Sequence, residues 1–252
     1  MPHDLLLRPL RGIPRVSAGD DLADIALGAL GKSNDHLCEG DVLIFAQKVV
    51  SKSEGRIVDL ASVVPSARAL RLAGETEKDP RLVELILEES SEVLRYRPGV
   101  MIVVHKLGFI LANAGIDRSN VEGDDRVLLL PVDADASAAR IRAKLRTGAG
   151  VDVAVLIIDS IGRPWRLGTA GTAIGASGMP TLLDMRGNPD LNGRPLENTD
   201  IAVADELASA ASLVMGQADE GTPIVLARGV PYRRCDGAAR DLIRPRNLDL
   251  FR

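Results

Sequence analysis

Aromatic side chains are almost missing from this sequence: they make up 2% of its 252 residues, with one Trp, two Tyr and three Phe. A core must therefore be assembled from Leu, Val, Ile and Ala, and a surface that stacks successive bases on rings is disfavoured. An excess of positive charge is also missing. The formal net charge of −4 argues against a protein that tracks a phosphate backbone, although a local basic patch can still hold a small anion. Cysteine is scarce. Cys38 and Cys235 stand in neither metal-binding nor redox spacing, so two reduced thiols in a cytoplasmic protein are expected. His3, His36 and His105 are isolated from one another, which leaves a histidine-built zinc site without support. No apolar run approaches the roughly 20 residues of a membrane-spanning helix. The opening segment MPHDLLLRPLRG is too short and too charged for a secretory signal. Neither a nucleic-acid partner nor a membrane is expected.

What is present is ordinary globular material, 46% hydrophobic and 26% charged, with neither a repeat nor a low-complexity segment. Apolar, β-branched runs at residues 42–50, 100–106, 109–114 and 151–159 read as strands. Asp79-Pro80 ahead of RLVELILEES reads as an N-cap and a first-turn proline. Asp135 and Thr199 are similar candidate caps for the helices that follow them. Residues 61–99 read as mainly helical. Strands and helices mix without regular βαβ alternation, so the fold class expected is α+β, with two interleaved lobes in a single domain spanning residues 1–252.

Two superficially attractive motifs fail on spacing. Gly31-Lys32-Ser33 lacks the glycine that a phosphate-wrapping loop needs five residues earlier, where Ala26 stands, and a turn-like Asn34-Asp35-His36 follows it. Gly175-Ala176-Ser177-Gly178 lacks the spacing of a nucleophile elbow. Any metal here would be held by oxygen donors, which favours Mg²⁺ or Mn²⁺ over zinc.

Four segments carry polar groups where strands end or loops turn. In LRGIPRVSAGDDL (residues 10–22), a Gly12/Pro14 turn exposes amides that suit a phosphate or a base; it equally suits a strand-to-helix connection capped by Asp. In residues 40–56, Lys48 and Lys52 lie four apart on one face of an expected strand. Two ammonium groups there would neutralise a polyphosphate, or would simply keep an edge solvated. ANAGIDRSNV (residues 112–121) crowds Asp117, Arg118, Ser119 and Asn120 into one loop, a set that surrounds a hard cation or a ribose, or forms an Asx-turn. In VAVLIIDSIGRPWRLG (residues 153–168), a buried-looking strand delivers Asp159 and Ser160 at its end. Arg163, Trp165 and Arg166 follow, and two guanidinium groups can grip phosphate or carboxylate.

These segments in this order, with LLPVDADASA (residues 129–138) and LENTDIAVADELASAASLVMGQADEGTPIVLARG (residues 196–229), resemble the coenzyme F420-0:γ-glutamyl ligase family. The resemblance runs from about residue 8 to residue 245. It implies an unusual α+β fold, an intertwined homodimer and GTP-dependent addition of L-glutamate to coenzyme F420-0 with two divalent cations, Mg²⁺ or Mn²⁺. Position by position it implies nucleotide contacts at Ile13, Pro14, Arg15, Val16, Gln47, Lys52, Asn120 and Gln217. Asp117 and Asp159 would hold a first cation, and Ser160, replacing a threonine, would hold a second with Gln217. Asp117, Asp159 and Lys52 would form the catalytic set. Arg163 and Arg166 are not part of what the resemblance implies; their charge and position after Asp159 make them the candidates to bind the acidic substrate. The nitroreductase-like extension of some relatives is not expected. Two departures stand out. Gln47 sits where serine or threonine is common, and Leu167-Gly168-Thr169-Ala170-Gly171 replaces a more polar stretch after GRPWR. The second departure motivates an alternative, a ligase for a different carboxylate acceptor; a GTP-binding module without catalysis is the other.

Overall fold

The computed structural model describes residues 4–121 and 123–250. The chain opens with β1 (Leu6–Pro9), α1 (Leu22–Lys32), β2 (Val42–Ala46) and α2 (Gln47–Ser53). A second stretch holds β3 (Ile57–Asp59), α3 (Ala67–Thr76), α4 (Pro80–Glu88), β4 (Ser90–Arg97), β5 (Val100–His105), β6 (Ile110–Ala112) and β7 (Arg126–Leu128). The chain then returns through α5 (Ala134–Ala149), β8 (Ala154–Gly162), β9 (Thr169–Ser177), β10 (Leu183–Asp184), β11 (Asp200–Ile201), α6 (Val203–Met215) and β12 (Ile224–Arg228). This is a mixed α+β fold, as the irregular alternation implies.

The main sheet has the order β1-β12-β2-β8-β9. Its centre is apolar on both faces because α1 and α5 cover one side and α6 the other. Alternate residues divide accordingly. Leu43, Phe45, Val155 and Ile157 face α1 and α5, whereas Val42, Ile44, Leu156 and Ile158 face α6. A strand buried on both faces reads as a continuous apolar run rather than an alternating one. In the second stretch, α3 and α4 pack on the three-stranded sheet β4-β5-β6 through Ala69, Leu72, Val83, Ile86, Met101 and Val103. This unit is inserted between α2 and α5, which makes the two lobes interleaved in the chain.

Edge strand β9 runs between α5 and α6, and two glycines let it do so. A Cβ on Gly175 would lie 2.4 Å from the Ala134 carbonyl oxygen of α5, and one on Gly171 would lie 2.4 Å from the Ala208 carbonyl oxygen of α6. The small residues of α6 serve the same close packing.

Several local expectations are corrected. The run at residues 42–50 is strand only to Ala46; from Gln47 it is helix α2, with Val49 and Val50 buried at helical spacing. A short apolar stretch cannot be assigned by periodicity alone. Lys48 and Lys52 therefore share a face as i and i+4 of a helix, not as strand neighbours. The run at 109–114 is strand only over Ile110–Ala112 and then turns. The strand expected at 151–159 starts at Ala154 and continues to Gly162. Residues 61–99 hold α3 and α4 but also β4.

Asp79 caps α4 by accepting a bond from the Arg81 amide at 2.9 Å, with Pro80 in the first turn as expected. Asp133, not Asp135, caps α5, accepting from the Ala136 amide at 2.9 Å. Asp135 instead accepts from the Ala176 and Ala239 amides at 2.9 and 2.7 Å, tying β9 to the C-terminal segment. Thr199 caps nothing: α6 begins at Val203, preceded by strand β11, and has no side-chain cap. Lys32 is the last residue of α1 and Ser33 its C-cap, so Gly31-Lys32-Ser33 leaves a helix where a phosphate loop would enter one.

Gly175→Ala should destabilise the protein by about 1–3 kcal/mol, because backbone must move to admit the methyl group. Gly74→Ala, inside α3 with open space around it, should stabilise by about 0.5–1 kcal/mol through helix propensity. Urea unfolding measures both, and equal effects of one sign would contradict the packing described.

Candidate functional site

Three strand ends, of β1, β2 and β12, meet along one edge of the main sheet, where β8 runs past them. β2 and β8 are parallel, with Ala46 level with Ile158. β12 is antiparallel to β2 and starts there, with Ile224 level with Phe45. β1 is antiparallel to β12 and ends there, with Pro9 level with Val225. The segments that leave or enter these ends enclose a cavity of about 410 Å³, within the range of small-molecule sites. Its walls are residues 13–16 after β1, 46–49 and Lys52 from α2, Asn120, residues 158–160 of β8, and residues 215–223 between α6 and β12.

The structure therefore brings Ile13, Pro14, Arg15, Val16, Gln47, Lys52, Asn120, Asp159, Ser160 and Gln217 around one space. Asp117 stands just behind that wall, where its carboxylate pairs with Lys48 at 2.7 Å. It also accepts from the Ser119 amide at 2.6 Å, so the Asx-turn reading of this loop is correct as local structure. Lys52 donates to the Asn120 carbonyl at 2.6 Å, joining α2 to the same loop. Ser160 donates to the Gln217 side-chain oxygen at 2.5 Å, and Gln217 donates in turn to the Ser212 hydroxyl at 3.0 Å. Arg163 and Arg166 are not in the wall; they sit with Trp165 on the exposed tip of the β8–β9 hairpin.

One residue and one loop matter more than their sequence context suggests. Lys48 lines the cavity and reaches Asp117, and its spacing from Lys52 was the available signal. The loop at residues 215–223 contributes far more wall than Gln217 alone. Its turn places Gly216 at φ +77, packed against the Glu220 carboxylate, a conformation that glycine adopts without strain.

The two acids are in opposed electrostatic states. Burial pushes the Asp117 carboxyl up, but Lys48, the Ser119 amide and the Ser119 hydroxyl outweigh it and hold its pKa below the usual value. Burial dominates at Asp159 and raises its pKa despite the Ser160 amide and Lys48, and the Asp117 charge adds to the rise. Two carboxylates that repel each other across one lysine form a place short of positive charge. Among the described residues, no three His, Cys, Asp or Glu side chains cluster in metal-binding fashion. A pair of carboxylates with hydroxyl and amide oxygens nearby nonetheless suits Mg²⁺ or Mn²⁺, which complete their coordination with water and substrate phosphate. The Gln47 side-chain oxygen is a second sign of an absent partner: it is buried in the cavity wall and accepts no hydrogen bond among the described residues. The donor set fits a hard divalent cation and a polyphosphate. No helix among the described residues is long and apolar enough to cross a membrane.

The sequence matches the family model described as F420-0:Gamma-glutamyl ligase over residues 12–229. It is 48% identical to the coenzyme F420:L-glutamate ligase of Methanothermobacter thermautotrophicus, with 96% of this chain and 97% of that protein covered. It is 47% identical to the protein of that name from Methanopyrus kandleri, with 98% of each chain covered. The counterpart from Haloarcula marismortui is 44% identical, over 88% of this chain and 86% of its own.

The raised pKa of Asp159 means that the native state holds this proton more tightly than the unfolded chain does. The penalty is absent below the unfolded carboxyl pKa, grows as pH rises through the window up to the native value, and is complete above it. With chelator present, Asp159→Asn should therefore raise Tm at pH 8 by at least about 2 °C, and the gain should vanish in acid. Melting curves from pH 3 to 8 check this; a variant less stable than wild type at pH 8 would refute the electrostatic account.

Proposed function

The chain belongs to the F420-0:gamma-glutamyl ligase family, and from that premise and the geometry of the cavity we propose that it joins L-glutamate to coenzyme F420-0 at the expense of GTP. The observation that carries this reading is convergence. Basic side chains, paired acids and an amide-rich loop surround one space at the carboxyl end of β2 and the adjoining residues 158–160 of its parallel partner β8, the side of an open sheet where ligands sit.

A carboxylate is a poor electrophile and oxide a poor leaving group, so amide formation needs activation. The lactyl carboxylate of F420-0 attacks the γ-phosphate of GTP, forming an acyl phosphate and releasing GDP. The glutamate amine then attacks the acyl carbon, loses its proton and expels phosphate, leaving an amide. No protein nucleophile is required.

Residues 13–16 and the loop at 215–223 cradle the nucleotide, with Gln47 and Asn120 as polar contacts. Asp117 and Asp159 would hold a first divalent cation, and Ser160 and Gln217 a second. The chemistry such ions would supply is charge neutralisation on the phosphates. Lys52 offsets charge on the phosphoryl oxygens during transfer. Lys48 pairs with Asp117 at 2.7 Å and supplies, in the ion-free chain, part of the positive charge that the acids require. As a cationic side chain lining the cavity it would also be available to a bound phosphate.

The reading predicts a metal-dependent mass gain of one or more glutamyl units when the protein is incubated with F420-0, L-glutamate, GTP and Mn²⁺. Chelator should abolish it, and mass spectrometry reads it directly. Asp159→Asn should lower turnover at least about a hundredfold while the chain stays folded; near-normal turnover would remove Asp159 from the mechanism. The residue 167–171 departure favours a second reading, a different carboxylate acceptor, which GTP consumption without the mass gain would support. Tight GTP binding with no consumption would instead mark a binding module.

A further inference from the structure

A second cavity, of about 320 Å³, shares no lining residue with the first. It sits where the two lobes meet. Phe109 and Ile110 come from the β5–β6 turn, Thr172 from β9, Asp205 from α6, and Leu242 and Ile243 from the C-terminal segment. Ligand sites favour such junctions. The walls are also held in place. A Cβ on Gly108 would lie 2.8 Å from Ile243 Cδ1, so the C-terminal segment rests closely on that turn, and Arg246 pairs with Glu92 of β4 at 2.9 Å.

Apolar side chains with a few polar groups among them suit an organic ring better than a highly charged ligand. Asp205 is the polar group of interest. It is half-buried and accepts the Ala173 amide at 2.8 Å, and burial raises its pKa despite that bond. A carboxylate has room for several donors, so one amide leaves capacity for another N–H. Arg244 and Asp249 also line the space, and both already interact within the chain. The cavity adjoins the reacting end of the first. Thr172 is the direct cross-strand partner of Asp159, so their side chains share a face, with Cβ atoms about 5 Å apart. Ile161, two residues beyond Asp159 on β8, and Phe109 both pack against the core on that face. A ligand seated at Phe109 and Ile110 can therefore extend past Thr172 to Asp159 without crossing the sheet.

We propose that this second cavity holds the ring end of the acceptor, packed against Phe109, Ile110, Leu242 and Ile243, with a ring N–H donated to Asp205. This inference rests on the functional reading above. The acceptor there has a flat deazaflavin at one end and the reacting carboxylate at the other, while GTP takes the cavity of about 410 Å³. The ring then needs a space of its own beside Asp159, and its tail runs from there past Thr172. The imide N–H of a deazaflavin matches an accepting carboxylate. Glutamate, with three charged groups, matches apolar walls poorly. Selection of a deazaflavin over other carboxylates arises, on this reading, at the junction of the lobes and not in the nucleotide cavity.

Steady-state kinetics of the full chain with F420-0, L-glutamate, GTP and Mn²⁺ test this. Ile110→Trp fills the cavity from an exposed position and should raise the KM for F420-0 at least about tenfold, with the KM values for GTP and glutamate unchanged. Asp205→Asn keeps an oxygen for the Ala173 amide and should raise the same KM about tenfold, the scale of a hydrogen bond to a charged group. A deazaflavin carrying only its ribityl chain has no carboxylate to react, and it should compete with F420-0 but not with GTP. If Ile110→Trp does not fold, Asp205→Asn and this inhibitor decide. An unchanged KM for F420-0 in the folded variants, or no inhibition, would overturn the ring site while leaving the functional reading intact. A raised KM for glutamate instead would overturn it by giving the cavity to the amino acid. An equal rise for GTP would do so by reducing Asp205 to a support of α6. Wild-type protein that does not glutamylate F420-0 would overturn the functional reading and the ring site together.

Discussion

The parallel pairing of β2 with β8 is the constraint on which the site depends. Both strands are apolar throughout their paired length and covered on each face, so their register is set by burial: a slip of one residue would turn every core side chain to the wrong face. Because they run the same way, the end of β2 at Ala46 lies level with Ile158, and β8 carries Asp159 and Ser160 past it on its way to Gly162. α2 must start, and Asp159 must appear, at the same edge of the sheet. The antiparallel partners then bring residues 13–16 and 215–223 to that edge from the opposite direction. Four segments far apart in sequence thus meet through the hydrogen-bond geometry of one sheet.

That edge holds charge in an unfavourable arrangement. Asp159 is raised by burial and by the proximity of Asp117, while Asp117 is held down by Lys48. The Gln47 side-chain oxygen, buried and without a hydrogen-bond donor among the described residues, adds to the cost at that edge. The raised Asp159 carboxyl and the unpaired Gln47 oxygen are both adverse to the chain as it stands. Stability given up at an edge of the sheet is offset by the apolar centre, where Leu43, Ile44, Phe45, Leu156 and Ile157 are fully buried.

β9 connects the site to its surroundings. Its glycines admit α5 on one side and α6 on the other, and α6 leads directly into the loop that carries Gln217. Asp205 on α6 accepts the Ala173 amide of β9 at 2.8 Å, and Ser209 donates to the Gly171 carbonyl at 2.8 Å. The helix that positions one wall of the cavity is therefore keyed to the hairpin whose other strand carries Asp159 and Ser160. This gives the β8–β9 hairpin a fixed orientation relative to the cavity, although its tip is exposed.

Much was legible from the residue order alone. Apolar runs located the core strands, irregular alternation indicated α+β, Asp79-Pro80 marked a helix start, and the ordered set of polar segments identified the family. Those features are local, or are carried by a linear pattern. What the residue order left open was decided by contacts distant in sequence. Gln47 to Val50 could be strand or helix, and packing against the sheet chose helix, which is why Lys48 and Lys52 share a face. Asp133 and Asp135 are equally good caps by composition; Asp135 was claimed instead by amides 41 and 104 residues away. The pairing of Lys48 with Asp117, and the opposed states of Asp117 and Asp159, follow only when two chain segments are folded against each other. Residue types and their order determined which chemistry was available; the tertiary structure decided which groups meet, because hydrogen bonds and charges act across space rather than along the chain.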